Sequence, residues 1–150
     1  MAAYRFRYLV TAVDTENEWG VIAPFIERAR AKDKRLTSTN AIRELLCGSS
    51  RYILSLVYSA DAVVGVVVLG IVSEPLFGTR GLQIVLAVAD GPPKFVEALH
   101  AECDYLAEKE SLQFTRFHFI RKGWKKLLKM QPKGGYKLHS YIAEKDYGRR

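Results

Sequence analysis

The alternation of apolar and polar positions predicts that the chain begins with a β-strand. Tyr4 to Val13 places arginines on one side and aromatic residues on the other, with a period of two. From Trp19 onward apolar residues recur at steps of three and four, which predicts an amphipathic helix capped by Asp14-Thr15-Glu16. A second, shorter helix is predicted after the capping hydroxyls of Thr37-Ser38-Thr39, and Gly48-Ser49-Ser50 ends it.

Three extended runs follow, and they predict an antiparallel meander. The runs are Tyr52 to Tyr58, Val63 to Val72 and Leu82 to Ala89. Ser59-Ala60-Asp61 is short enough for a hairpin between the first two, and the looser Ser73 to Gly81 joins the last two. Because the second and third runs are almost wholly apolar, we expect both faces of the sheet to be covered at its centre.

The helical period returns after Asp90-Gly91-Pro92-Pro93, and this helix is predicted to end near Ser111. Beyond it the pattern predicts a strand over Gln113 to Ile120, a helix over Lys122 to Met130 and a last strand over Tyr136 to Ala143. The order β-α-α-β-β-β-α-β-α-β predicts an α/β fold of the α+β type, with a central, mostly antiparallel twisted sheet flanked by helices. At 150 residues, the chain is expected to form a single domain over residues 1–150.

Composition places the chain among soluble globular proteins, with 49% hydrophobic and 26% charged residues. The longest apolar run, Ala62 to Val72, is about half of the roughly 20 residues that a membrane-crossing helix requires, so no membrane partner is expected. The N-terminus lacks a secretory signal, which predicts a cytoplasmic location. Cys47 and Cys103 are therefore interpreted as reduced core residues.

Positive charge is concentrated in the last quarter of the chain. Residues 111–150 hold 11 Lys and Arg against two acids, whereas residues 1–110 hold 12 against 14. On a helical projection Trp124 lies with Leu127 and Leu128 on the apolar side, so its indole is predicted to be buried and the cations to lie outside. The candidate nucleic-acid-binding residues are Arg121, Lys122, Lys125, Lys126 and Lys129. A polyanion partner and a solvated face without a partner both stay open.

The order of elements over nearly the whole chain resembles the GNAT superfamily of acyl-CoA N-acyltransferases. Val63-Val64-Gly65-Val66 looks like the third strand of that family, Leu82 to Ala89 is similar to the strand before its cofactor loop, and Gly135-Tyr136 looks like its closing Gly-aromatic pair. The resemblance implies an enzyme that transfers an acyl group from acetyl-CoA or another acyl-CoA to an amine.

The resemblance also implies a cofactor loop of the form Arg/Gln-x-x-Gly-x-Gly/Ala, which binds pyrophosphate at a helix N-terminus. In the matching stretch, 90–98, only Gly91 and Ala98 agree with the pattern. The two prolines lack the N–H groups that an anion would bind, and Phe95 and Val96 stand where the family has glycine. The candidate cofactor-binding residues are Leu86, Val88, Gly91 and Lys94.

The family's general acid, a tyrosine of the last helix, is replaced here by Leu127 or Leu128, and neither side chain donates a proton. The remaining catalytic candidates are Glu74 and His118 as bases and Tyr136 as an acid. His100, His118 and His139 share no spacing typical of a metal site, and no metal is expected.

Two other functions stay open beside the enzyme. A GNAT-like chain without catalysis can serve as a structural or interaction protein, for example a component of a tailed phage, with a protein partner or as a homo-oligomer. Such a chain would be found in the host cytoplasm or the virion. The basic C-terminal face alternatively predicts salt-sensitive contact with the nucleic-acid backbone.

Overall fold

The computed structural model describes residues 4–48, 51–90 and 94–117. They belong to the first of two compact units into which the chain divides, Met1–His118. The expectation of a single domain over residues 1–150 therefore stays a prediction. The described elements, in chain order, are β1 (Tyr4–Leu9), α1 (Ala12–Asn17), α2 (Trp19–Lys32), α3 (Thr39–Gly48), β2 (Tyr52–Ser59), β3 (Ala62–Glu74), β4 (Thr79–Ala89), α4 (Lys94–Lys109) and β5 (Phe114–Phe117).

The strands form one five-stranded sheet in the order β1-β2-β3-β4-β5. Each of the first four strands pairs antiparallel with the next, whereas β5 lies parallel to β4. The parallel step is possible because α4 carries the chain back along the sheet between these two strands. The predicted meander and the mixed, mostly antiparallel sheet are confirmed.

The first strand is shorter than predicted, because a helix begins within the predicted range. Thr11 caps α1: its hydroxyl accepts a hydrogen bond from the Asp14 N–H (3.1 Å), and the Asp14 carboxylate accepts one from the Thr11 N–H (3.4 Å). This capping box satisfies two backbone donors at the helix start. The extension of the strand to Val13 and the cap at Asp14-Thr15-Glu16 were therefore wrong.

The cap predicted for the second helix, which is α3 in the structure because α1 was not predicted, is confirmed. The Ser38 hydroxyl accepts a hydrogen bond from the Ala41 N–H at 3.2 Å, and the Ser38 carbonyl accepts one from the Ile42 N–H at 3.0 Å. The Ser38 side chain therefore satisfies the Ala41 N–H, which lacks an intrahelical acceptor, and its carbonyl accepts the first intrahelical hydrogen bond.

Helices cover both faces of the sheet, as the apolar runs predict. On one face α2 and α3 pack over β2 and β3, with the buried residues Leu9, Ile22, Phe25, Ile26, Leu54, Leu56, Val66 and Val68. On the other face α4 packs over β2, β3 and β4, with Val57, Val67, Leu69, Leu82, Ile84, Phe95, Leu99 and Cys103. Within the described ranges, no helix combines the length and the apolar content needed to cross a bilayer.

Several predictions concern residues that the structure does not describe. The helix over Lys122 to Met130, the strand over Tyr136 to Ala143 and the burial of Trp124 lie outside the described residues, as do the last residues of the predicted strand Gln113 to Ile120. Both cysteines are free thiols; Cys103 is buried and Cys47 is half-buried.

Candidate functional site

A β-bulge divides β4 into two halves. Val68 pairs with Leu86 and Leu69 pairs with Ile84, so Val85 is an extra residue without a partner on β3. Leu82 and Ile84 pack beneath α4, whereas Leu86 packs with the cluster beneath α2. The bulge thus changes which positions of the strand face each layer, and it leaves Val85 46% exposed.

Beyond the bulge, β3 and β4 approach each other closely. A Cβ atom at Gly65 would lie 2.7 Å from the Val88 carbonyl oxygen and 2.8 Å from the Ala89 Cβ, so only glycine fits. The Asp90 N–H then donates to the Val64 carbonyl at 2.7 Å, which extends the ladder one residue past the end of β4. This contact fixes where the chain leaves the sheet for α4.

An ion pair joins the exit of β4 to α2. An Arg28 guanidinium nitrogen lies 2.5 Å from an Asp90 carboxylate oxygen, and the guanidinium carbon lies 4.9 Å above the centre of the Phe25 ring. Both charged side chains are more than a third exposed, so the pair adds at most about 1 kcal/mol to stability. Its electrostatic effect is local, because Arg28 offsets a negative charge at the start of the connection.

The N-terminus of α4 lies at the same end of β4. Lys94 is the first helical residue and is exposed, and Glu97 is an acid in the first turn. The backbone N–H groups of a first turn have no intrahelical acceptor and attract anions. Phe95 and Val96 turn their side chains into the core, where the Phe95 ring meets the Tyr4 ring edge-on at 5.9 Å between centroids. The two side chains predicted to occupy the glycine positions are therefore packed inward.

Leu86 and Val88, two of the candidate cofactor-binding residues, pack against the core cluster beneath α2 and α3. Their side chains are half-buried and engaged in packing on that face. Lys94 lies at the start of α4, and the fourth candidate, Gly91, lies outside the described residues.

Glu74 lies at the other end of β4. It pairs with Thr79, the first residue of that strand, which places it about 30 Å from Ala89 at the usual rise per residue. Its carboxylate accepts from Arg116 at 2.7 Å. The structure therefore does not bring Glu74 together with Lys94. His118 and Tyr136 lie outside the described residues, as does the group Arg121, Lys122, Lys125, Lys126 and Lys129.

Two polar side chains near α4, those of His100 and Tyr8, are buried or half-buried. His100 is 3% exposed, and burial lowers its pKa to about 4, so the imidazole is neutral near pH 7. The Tyr8 hydroxyl donates to the Glu102 carboxylate at 2.5 Å, and burial followed by this hydrogen bond raises the pKa of Tyr8. The phenol therefore stays protonated and links α4 to β1.

Neither the Arg28–Asp90 pair nor the Tyr8–Glu102 pair was foreseen from the sequence. The partners are 62 and 94 residues apart, and no local pattern marks them. Across the described ranges, no group of three or more His, Cys, Asp or Glu residues is arranged to hold a metal ion.

No protein-family model matches the sequence, and no curated protein matches it by sequence. Solved structures do match. A ribosomal-protein-alanine N-acetyltransferase from Brucella melitensis biovar Abortus 2308 superposes with a TM-score of 0.69 at 16% identity, over 96% of this chain and 100% of its own. A GNAT family acetyltransferase from Staphylococcus aureus subsp. aureus USA300_TCH1516 gives 0.66 at 12% identity, over 97% and 99%.

An aminoglycoside acetyltransferase from an uncultured soil metagenomic sample, solved with sisomicin, gives a TM-score of 0.66 at 9% identity, over 95% of this chain and 97% of its own. Identities this low establish architecture and leave substrates open. Together with the five-stranded mixed sheet flanked by helices, these matches show that the chain has the GNAT acetyltransferase fold.

Proposed function

We propose that the protein is an N-acyltransferase that moves an acyl group from an acyl-CoA to an amine. The observation that carries this proposal is the junction of β4 with α4, where a bulged strand, a glycine-dependent close approach and a helix N-terminus follow one another. Ligands of open α/β sheets bind beyond the carboxyl ends of strands, and phosphate groups bind at helix N-termini. The GNAT fold adds independent support.

The described residues fit a phosphate group at the helix start. The first turn of α4 offers its backbone N–H groups, and Lys94 adds a positive charge beside them. Pro92 and Pro93 contribute no N–H, so the contact is confined to the helix itself and to Gly91 before them. Leu86 and Val88, whose half-buried side chains pack against the core cluster, would hold the rest of the cofactor through their backbone.

The acyl-CoA, when bound, supplies the thioester that the amine attacks. The chain must hold the amine in position and accept the proton that it loses. Glu74 is remote from the β4–α4 junction and is engaged with Arg116, so we do not assign it the role of base. His118 directly follows β5, the strand parallel to β4, and is the residue that we propose as base; Tyr136 is the proposed acid.

Titration calorimetry with acetyl-CoA tests the binding step. We expect one site per chain and an affinity that falls about threefold to tenfold in Lys94→Ala, because a charge beside the phosphate is lost. Lys109→Ala is the matched control, since it removes the same charge from the other end of the same helix and should leave affinity unchanged. Absence of heat at millimolar acetyl-CoA would remove the proposal.

Turnover is tested separately by following free thiol release with a panel of amines, including an aminoglycoside and a protein N-terminus. His118→Ala should reduce the rate while acetyl-CoA binding is kept. A chain that binds acetyl-CoA but releases no thiol with any amine would support a GNAT-like binding protein without catalysis.

That non-catalytic function is the second candidate, and specific features favour it. Asp90 places a carboxylate at the start of the connection to α4, two prolines follow it, and Leu127 and Leu128 stand where the family has a proton donor. A stable oligomer or a copurifying protein, with no affinity for acyl-CoA, would favour this function.

Nucleic-acid contact through the basic residues 121–129 is the third candidate, and it rests on sequence charge alone. It predicts duplex binding that weakens steeply as salt rises from about 50 to 200 mM, and that weakens further in Lys125→Glu/Lys126→Glu. Binding that is insensitive to salt would contradict it.

A further inference from the structure

The turn between β3 and β4 presents two large apolar side chains to solvent. Leu76 is 95% exposed and Phe77 is 79% exposed. The Phe77 N–H donates to the Glu74 carbonyl at 3.0 Å, the Gly78 N–H donates to the Pro75 carbonyl at 3.3 Å, and Gly78 has φ +65°. Such a turn favours proline and glycine at its ends and accepts polar residues between them. The turn itself therefore does not require leucine or phenylalanine.

This turn stands at the end of a projecting pair of strands. The pairing of β2 with β3 ends at Tyr52 and Gly70. Beyond Gly70, β3 continues in register with β4 as far as the pair Glu74 and Thr79. We call this segment, residues 71–82, the arm; it carries Leu76 and Phe77 past the end of β2.

Strand β5 and the residue before it brace the arm from the side of β4. The Gln113 N–H donates to the Arg80 carbonyl and the Arg80 N–H donates to the Gln113 side chain, each at 2.8 Å. Arg116 pairs with Glu74 at 2.7 Å and lies 4.8 Å above the Phe114 ring. The two apolar side chains are thus held on a supported segment, and little backbone ordering is left to accompany binding.

The charge around the arm is positive. Arg51 precedes the first residue of β2, Arg80 and Arg116 lie on the arm and on β5, and Glu74 is the acid among them. The arm therefore complements a negatively charged surface.

The size of the exposed apolar area indicates which kind of surface the arm binds. Two side chains of this kind bury roughly 400 Å² at most, whereas a specific protein interface needs about 800 Å² on each partner. Ser73, Glu74, Thr79 and Arg80 flank the turn, and the one other large apolar side chain exposed within residues 71–82, Ile71, is 37% exposed, so the apolar area grows little beyond Leu76 and Phe77. A lipid bilayer needs no complementary pocket, and it accepts apolar side chains framed by cations at its interface.

We propose that the turn at the end of the arm is a peripheral membrane anchor, in which Leu76 and Phe77 enter the interface of an anionic bilayer while Arg80 contacts the headgroups. The expectation of no membrane partner rested on the absence of a spanning segment and of a signal, which a two-residue anchor does not need. The proposal is independent of acyl-CoA binding.

Flotation of the whole chain with vesicles tests the proposal. The wild-type protein should rise with equimolar phosphatidylcholine and phosphatidylglycerol, and less with phosphatidylcholine alone. Leu76→Ser/Phe77→Ser should lower the partition coefficient at least about tenfold, and Phe77→Trp should keep it, since tryptophan favours the interface. Because both replaced side chains are exposed, the melting temperature of Leu76→Ser/Phe77→Ser should not change.

Val10→Ser/Val13→Ser is the matched control, since these residues are 86% and 65% exposed and lie outside the arm. It should bind as the wild type does. The proposal is overturned if the wild type binds neither vesicle, if the serine double variant of the turn binds as well as the wild type, or if the control loses as much. It is also overturned if sedimentation without lipid shows a dimer that the turn variant abolishes, because the turn would then be a contact between copies.

Discussion

The two ends of β4 differ in their packing and in the kind of side chain that lies at each. At its carboxyl end the strand presses against Gly65 and leads into a charged connection, where Arg28 holds Asp90. At its amino end it begins from a turn whose central side chains contact little and stand in solvent. One end therefore brings closely packed backbone next to charged side chains, and the other exposes apolar side chains.

The two glycines that serve these ends do so for opposite reasons. Gly65 is needed because another strand occupies the space of a Cβ atom, whereas Gly78 has open space around it but a backbone angle that other residues rarely adopt. The carboxyl end, which is built from close backbone contact, is sensitive to added volume. At the amino end, where the side chains are exposed, substitutions change the chemistry of the surface but disturb little packing.

The largest expected effect is on stability after Gly65→Val. The added side chain meets the Val88 carbonyl and the Ala89 Cβ, so the strands must separate. We expect a loss of about 3 kcal/mol in the free energy of unfolding, measured by urea denaturation, together with a loss of acetyl-CoA binding. A variant as stable as the wild type would show that the close approach is not a constraint.

The next effect concerns pH and the helix that begins at the carboxyl end of β4. His100 stays neutral in the folded chain down to pH about 4, whereas its unfolded pKa is near 6.5, so the unfolded state binds more protons between these values. Stability should therefore be lost as pH falls from 6.5 to 4, by about 3 kcal/mol in total. Urea denaturation between pH 4 and 6.5 measures this loss, and in His100→Gln the fall of the unfolding midpoint with pH should be smaller. If the midpoint falls as steeply as in the wild type, other groups cause the pH dependence.

Deleting Val85 tests the bulge without changing the faces of the strand. Without this residue Ile84 and Leu86 still meet Leu69 and Val68, and normal alternation keeps each side chain in its own layer. We expect a stability within about 1 kcal/mol of the wild type and an acetyl-CoA affinity about tenfold weaker, because the backbone groups freed by the bulge become paired. If calorimetry shows that the deletion leaves acetyl-CoA affinity unchanged, the bulge does not contribute to binding.

At the other end of the strand, Gly78→Ala should cost about 1 kcal/mol, because alanine is strained at φ +65° although it has room. Urea denaturation measures the loss, and acetyl-CoA affinity should not change. A cost as large as that of Gly65→Val would remove the contrast between the two ends.

The smallest effects are expected at the two ion pairs. Arg28→Ala and Arg116→Ala should each lower stability by less than about 1 kcal/mol, since both pairs are exposed. Only Arg28→Ala should weaken acetyl-CoA binding, by about threefold, because it leaves the Asp90 carboxylate without its cation near the start of α4. Adding Asp90→Asn should restore the affinity; equal effects of both arginine variants on binding would contradict this distinction.

From β1 to β5, the order of the strands and of the longer helices α2, α3 and α4 was predictable because each carries its own apolar period, whereas the short helix α1 was not predicted. The end of β1 was missed although Thr11 and Asp14 form a readable capping box, since the aromatic alternation before them outweighed it. The bulge at Val85 has no such signal, because Leu82 to Ala89 is apolar at every position except Gln83, so a change in which residues face each side leaves the pattern unchanged. The partner of Asp90 also had no local signal, since only the folded sheet brings α2 beside the end of β4.

Amide hydrogen exchange with and without acetyl-CoA tests the central claim most directly. If the carboxyl end of β4 and the start of α4 hold the acyl-CoA, saturating ligand should slow exchange in peptides spanning residues 85–97 and leave the arm, residues 71–82, unchanged. Slower exchange in the arm instead, or no change anywhere at millimolar ligand, would contradict the account.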